Sequence, residues 1–355
     1  MGLALPGFAL IAGLLAARAV TPQTRPAKWT LRLTSTIGAP GPGLPAFIRP
    51  YSIVADADRT IYVADPGSMQ IHATTERGQH RWSAGRVGEH QGEFVALGSL
   101  AWLGDTLVAA DAGARRIALL SRAGAWLGTW AGYAPRASRL ISAGSDLYAP
   151  LRLANTSGPA RTGFLWLRRA SVDTLPHPAD AEKARITCRT PRATSIISLP
   201  YPPTTLTIPA PGGLLATVMT SRYRIALVNR NGDTVRTIEK RHQALPISAE
   251  QWAEATAPLR TALARPDVNC SPSSFERPRT LPAVQSLFFD GERRLWVETW
   301  TPVGRVFDVF DETGRHVATV TGLAGGLTAP YVRGDRLYGL AFENGKPAVR
   351  VYVIE

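Results

Sequence analysis

Arginine is the residue type with the most capacity for recognition chemistry in this chain. Among 355 residues, Lys and Arg number 40 against 27 Asp and Glu, giving a formal net charge of +13, and only Lys28, Lys183, Lys240 and Lys346 are lysines. A guanidinium presents a planar fork of donors that fits carboxylates and phosphates bidentately, and such an excess favours an anionic partner. Codon bias toward arginine and a solvated basic surface account for the same skew. Arg49, Arg136, Arg222, Arg241, Arg277 and Arg279 stand out because they fall in segments expected to edge one face of the fold. There they would form a positive rim.

Catalytic chemistry is harder to assemble. The histidines are His72, His80, His90, His177, His242 and His316, scattered over turns and strand ends without metal-ligand spacing. Neither a structural metal nor a cofactor is expected. Asp56 and Asp58 read as turn residues, and Asp65 and Asp111 end strands, where a carboxylate commonly accepts backbone N–H groups. Serines occur without a nucleophile elbow. Gly85 to Gly92 lacks the Lys-Ser/Thr pair and following helix of a phosphate loop, so it reads as a turn. Cys188 and Cys270 are compatible with one disulfide closing a loop of about 80 residues, or with two buried thiols.

The elements that must position these residues are strands. Gly at 32 and Pro at 28 residues exceed what a helix-rich chain carries. The segment Arg116-Ile117-Ala118-Leu119-Leu120-Ser121-Arg122-Ala123-Gly124 aligns without gaps to Arg224-Ile225-Ala226-Leu227-Val228-Asn229-Arg230-Asn231-Gly232. Phe307 to Gly314 repeats the rule, and Ile71 to Gly78 is a more diverged copy. Each copy is a β-branched run, a polar turn closed by Gly, and a second β-branched run, which is a hairpin. Short apolar strands precede the hairpins, including Ile61-Tyr62-Val63, Leu107-Val108-Ala109, Leu214-Leu215-Ala216 and Leu295-Trp296-Val297; Leu147-Tyr148 and Leu337-Tyr338-Gly339 bring the count to six. Each unit makes a four-stranded antiparallel sheet that cannot cover both of its faces alone, and radial packing of such sheets solves this.

Ile61-Tyr62-Val63-Ala64-Asp65 and Leu107-Val108-Ala109-Ala110-Asp111, with the glycine-rich approach through Gly85, Gly88 and Gly92-Glu93-Phe94, resemble NHL repeats. The C-terminal third, from Leu281 to Glu355, resembles the end of a group of exported bacterial six-bladed propellers. The resemblance implies an all-β, six-bladed β-propeller. Some propellers of similar fold are lactonases that hold calcium in the central channel with inward-facing Glu, Asp and Asn. The expected innermost strands here, Ser52 to Ala55, Leu97 to Leu100, Leu206 to Ile208 and Val284 to Leu287, offer few carboxylates for that ligand set.

The last run, Ala348 to Glu355, is a third strand with no chain left for a fourth, so the strand Trp29 to Ile37 is expected to complete the last blade and remove an exposed edge. Longer spacings mark insertions at about 176–203, read as loop, and about 239–281. In the second, Ser248 as N-cap with Gln251 three residues on, and Trp252, Ala255, Leu259 and Leu263 on one face, predict a helix that Pro258 should break. Both insertions join the last strand of one blade to the first of the next and should emerge together, one cysteine in each. Residues 1–19 form an apolar stretch ending Ala17-Arg18-Ala19, read as a secretory signal; residues 29–355 form one propeller domain.

These readings give an exported, periplasmic or extracellular monomer without a membrane span. Its expected role is a non-catalytic binding scaffold taking a protein segment or an anionic glycan on the insertion face. A lactonase-like, calcium-dependent hydrolase is the alternative, and export argues against nucleic acid.

Overall fold

The computed structural model describes residues 25–38, 46–131, 139–153, 161–168, 171–176, 185–190, 193–271, 276–302, 304–323 and 327–355. The apolar stretch 1–19 read as a secretory signal, Arg136 and His177 lie outside them.

The chain opens with β1 (Ala27–Ile37). The first four-stranded antiparallel sheet is β2 (Ser52–Ala55), β3 (Ile61–Asp65), β4 (Gln70–Thr74) and β5 (His80–Ala84). The second is β6 (Leu97–Leu103), β7 (Thr106–Asp111), β8 (Arg116–Leu120) and β9 (Trp126–Ala131), and the third is β10 (Ile141–Ala143), β11 (Asp146–Leu153), β12 (Arg161–Arg168) and β13 (Ser171–Pro176). β14 (Arg185–Arg189) and β15 (Thr194–Ser198) follow as a hairpin, before the fourth sheet of β16 (Thr205–Ala210), β17 (Leu214–Met219), β18 (Arg224–Val228) and β19 (Thr234–Glu239). Then come α1 (Ala249–Leu263) and β20 (Asn269–Ser271). The chain ends with β21 (Ser286–Phe289), β22 (Leu295–Thr301), β23 (Gly304–Phe310), β24 (His316–Thr321), β25 (Thr328–Arg333), β26 (Arg336–Glu343) and β27 (Lys346–Ile354).

The second strands are mostly buried, and in β3 every residue is, because both faces of each sheet are covered by neighbours. Apolar clusters fill the spaces between consecutive sheets. Tyr62 and Ile71 meet Leu100 and Leu107, Val108 meets Leu147 and Leu167, and Tyr148 meets Leu215. Ile225 meets Val284 and Leu295, and Trp296 meets Leu337 and Tyr352. Tyr338 and Val351 of the C-terminal strands pack on Ile53 and Val63 of the first sheet.

β1 departs from the repeat. Its residues Leu31 to Ile37 pair antiparallel with β27, from Leu31 opposite Ile354 to Ile37 opposite Val349. Its first residues, Ala27 to Thr30, pair in parallel with Ala318 to Thr321 of β24. The last two units are therefore one eight-stranded sheet joined through β1, where the sequence suggested two separate four-stranded sheets. An eleven-residue strand is long enough to serve both neighbours.

Two further expectations are corrected. The first insertion is not simply loop: Arg185–Arg189 and Thr194–Ser198 pair in register, and β20 from the second insertion adds a third strand. Thr187-Cys188 and Ile196-Ile197 are β-prone, but a hairpin this short needs an outside partner. The helix is continuous across position 258. Ser248 and Gln251 form a reciprocal capping box at its start, and Leu259 and Leu263 pack it on the small sheet.

Candidate functional site

The repeated Asp residues anchor the entry to the sheets. Asp65 accepts backbone N–H groups from Ile48, Arg49 and Gly67 at 2.7, 2.8 and 2.9 Å, and Asp111 does the same for Ala96 at 2.9 Å and Val95 at 3.2 Å. The glycine two residues on leaves no room for a side chain: a Cβ on Gly67 would sit 2.6 Å from Ile48, and one on Gly113 2.5 Å from Val95. The Gly85 to Gly92 turn closes around Glu93, whose carboxyl is lowered to about 2 by the backbone N–H of His90 and by Arg86. These groups are structural.

The two insertions build a separate platform. Cys188 of β14 lies opposite Cys270 of β20, with Cα atoms 4.0 Å apart and the sulfurs bonded. Ile186, Cys188 and Leu259 form its small core. Beside it, Leu199 to Pro203, Thr220, Ser221 and residues 276–282 line a cleft of about 520 Å³. The far wall is pinned by Leu281 N–H donating to Leu245 O at 2.8 Å and Val284 N–H to Thr220 O at 3.1 Å. Tyr201 holds φ at 57°, a left-handed conformation uncommon outside glycine.

Arg277 and Arg279 both line this cleft, with Glu276 between neither of them but beside the first. Arg222 follows the cleft-lining Ser221. Arg241 is exposed after Lys240, and Arg49 sits at the entry to β2, its backbone held by Asp65. Of the six arginines singled out in the sequence, Arg277 and Arg279 are the two that line a common cavity among the described residues; nothing in the described contacts joins Arg49 or Arg241 to them, and Arg136 lies outside the described residues.

A buried polar cluster escaped the sequence reading. Asp308, fully buried in β23, accepts from Lys240 Nζ at 2.7 Å on both oxygens, from the Tyr223 hydroxyl at 2.8 Å and from Thr319 Oγ1 at 2.9 Å, with His316 Nε2 at 3.1 Å. Burial works to raise its pKa, but the bonds from His316, Lys240 and Tyr223 outweigh it and carry the carboxyl down to about 2. Burial and the Asp308 charge push the Tyr223 hydroxyl well up. His242 lies beside Tyr223, and its Nε2 is buried without a hydrogen-bond partner among the described residues. Burial and then Lys240 lower its pKa. The cluster joins the fourth sheet to β23 and β24; Tyr223 and Asp308 alone are 85 positions apart, a separation no local motif reveals.

A second, larger cavity lies among the first strands β2, β6, β10, β21 and β25. Its carboxylates are Asp290 and Glu292. Asp290 accepts from Arg294 Nε at 2.6 Å, Trp296 Nε1 at 2.7 Å and the Arg294 N–H at 2.8 Å, and burial still pushes its pKa up. Among the described residues no group of three or more His, Cys, Asp or Glu is placed to hold a metal ion, and no helix is long and apolar enough to cross a membrane.

No family model and no curated protein matches the chain. Among solved structures, it is similar to a member of the DUF4221 family from Bacteroides vulgatus, at 9% identity and a TM-score of 0.50, over 93% of this chain and 99% of that one. It is also similar to a protein of Bacteroides fragilis described as exported, at 10% identity and a TM-score of 0.47 over 92% and 95% of the chains. Regucalcin, a calcium-binding protein of Agrobacterium tumefaciens, aligns at 13% identity and a TM-score of 0.39 over 87% and 91%. At such identities the likeness to the first of these is one of fold, and the chain is all-β with its strands in successive antiparallel sheets.

Proposed function

We propose that this chain is an exported, six-bladed β-propeller of NHL-like repeats that acts as a binding scaffold, with the cleft between its insertions as the docking site for an acidic protein segment. The cyclic order of the apolar clusters and the double pairing of β1 support a ring of six units fastened by the N-terminal strand. The bonded Cys188 and Cys270 support an oxidising compartment, and the leader at 1–19 carries the address.

One observation carries the site. Arg277 and Arg279 line the cleft with no acidic side-chain partner among the described residues, whereas arginines on the sheets are tied down, such as Arg116 to Asp111, Arg294 to Asp290 and Arg336 to Glu76. Free guanidinium groups beside rigid walls are poised for charge-assisted bonds to carboxylates. Pro200, Pro202, Pro203, Pro278 and Tyr201 supply those walls, an apolar, pre-ordered surface for an extended chain.

The test is fluorescence anisotropy with a labelled oligoglutamate ten residues long. Binding should weaken with added salt and fall at least tenfold in the double variant Arg277→Glu, Arg279→Glu, while Arg81→Glu on an outer strand leaves it within twofold. Equal affinity for the double variant and the parent rejects the site. Binding of an oligouronate but not the peptide rejects the protein-segment reading.

A further inference from the structure

The central cavity encloses about 650 Å³, within the range of small-ligand sites, and shares no lining residue with the insertion cleft. Its inference stands independently of the reading above.

Two aromatic side chains that line it, from different sheets, share a single acceptor. Trp102 Nε1 donates to Ala55 O at 3.0 Å and the Tyr331 hydroxyl donates to the same oxygen at 3.2 Å, so both rings are fixed in place. Tyr331 is delivered there by an irregular strand. The pairing of β25 with β26 shifts register between Thr328 and Tyr331, and within that shift Ala329 has φ 50° directly before Pro330. A left-handed residue with a side chain, ahead of a proline, is unfavourable twice over. Such strain is retained where the surroundings hold it, commonly at ligand sites.

The polar groups beside these rings are of complementary kinds. Arg333, at the end of β25, has no acidic side-chain partner among the described residues, and Ser142 and Ser145 contribute hydroxyls. Glu292 adds a carboxylate whose Oε1 accepts from Gly334 N–H at 2.9 Å and whose Oε2 accepts from Arg294 Nη2 at 3.2 Å, each oxygen keeping a second lone pair. Flat apolar faces, hydroxyl partners and the guanidinium of Arg333, with that of Arg139 also lining the cavity, match a pyranose ring that carries a carboxylate.

We propose that the central cavity binds a hexuronic acid, with its ring against Trp102 and Tyr331, its hydroxyls on Ser142, Ser145 and Glu292, and its carboxylate on Arg333. The experiment is saturation-transfer NMR and calorimetry on the disulfide-intact chain with D-glucuronate, D-glucose and acetate as probes. Glucuronate should bind at least tenfold more tightly than glucose or acetate. Arg333→Gln should remove that preference, and Ser145→Trp, an exposed position at the cavity mouth, should block glucuronate altogether; circular dichroism verifies that both variants are folded. Equal binding of glucuronate and glucose, equal binding of glucuronate and acetate, retention of glucuronate by both variants, or no saturation transfer in the parent chain each overturns the proposal. The oligoglutamate experiment reads a different cleft, so either result stands without the other.

Discussion

Lys240 reaches from the segment after β19 to both carboxylate oxygens of Asp308 in β23, at 2.7 Å each, and so bolts the fourth sheet to the fifth set of strands. Tyr223, Thr319 and His316 complete the shell around that carboxylate. Asp308→Asn should destabilise the protein by roughly 3 kcal/mol, the low end for removing one partner of a buried pair, because Lys240 retains some solvent. Denaturant unfolding measures it, and a loss below about 1 kcal/mol would mean that the cluster is not holding the sheets together.

Acid stability follows from the same carboxyl. Its folded pKa of about 2 lies below the value near 3.9 of an unfolded aspartate. The stabilisation is therefore complete above about pH 4 and is lost as the pH falls toward 2, a contribution on the order of 2 kcal/mol. Urea midpoints recorded between pH 6 and pH 2 should fall in that window for the parent chain, and the fall should be shallower in Asp308→Asn. Parallel curves would assign the acid loss to other carboxylates.

Gly67 and Gly113 occupy equivalent positions two residues after Asp65 and Asp111, each pressed against the chain that enters the sheet. Alanine at either should cost about 1–3 kcal/mol through overpacking. Gly232, with open space around it, should respond through its backbone conformation alone. Thermal melts of the three variants compare the two causes, and a neutral Gly67→Ala would show that the entry segment yields.

Reduction should loosen the insertion platform before the sheets. The bond between Cys188 and Cys270 spans 82 positions, worth about 4 kcal/mol in the chain-entropy model. Hydrogen exchange should accelerate across 185–198 and 269–271 in the double variant Cys188→Ser, Cys270→Ser, with 61–65 and 107–111 unchanged. Uniform acceleration along the chain would show that the platform and the sheets unfold as one.

Leu31 sits at the point where β1 passes from β24 to β27, buried against Trp296 and Tyr352. Leu31→Ala should cost about 2–4 kcal/mol and raise the unfolding rate, which stopped-flow kinetics reads directly. A change confined to local exchange at the N-terminus would mean that β1 is dispensable to the cooperative unit.

Local chemistry was legible along the chain wherever neighbours in sequence are also neighbours in space. Arg116 to Gly124 and its copies read as hairpins because strand, turn glycine and strand are contiguous, and Ser248 with Gln251 reads as a helix start because the capping box spans four residues. Asp65 and Asp111 read as acceptors of backbone N–H groups for the same reason, through their bonds from Gly67 and Ala114. The hairpin of the first insertion was missed because its pairing is completed by Asn269 to Ser271, far along the chain.

What the sequence determined by itself is the all-β class, the repeated sheet unit and the basic balance, since these depend on residue type and short-range periodicity. Tertiary structure alone decided that β1 serves two neighbours, that Lys240 meets Asp308, that Arg277 and Arg279 share a cleft while Arg49 and Arg241 do not join them, and that Trp102 and Tyr331 meet at Ala55. Each depends on contacts between segments tens to hundreds of residues apart, whose partners are selected by packing of whole sheets rather than by any local pattern.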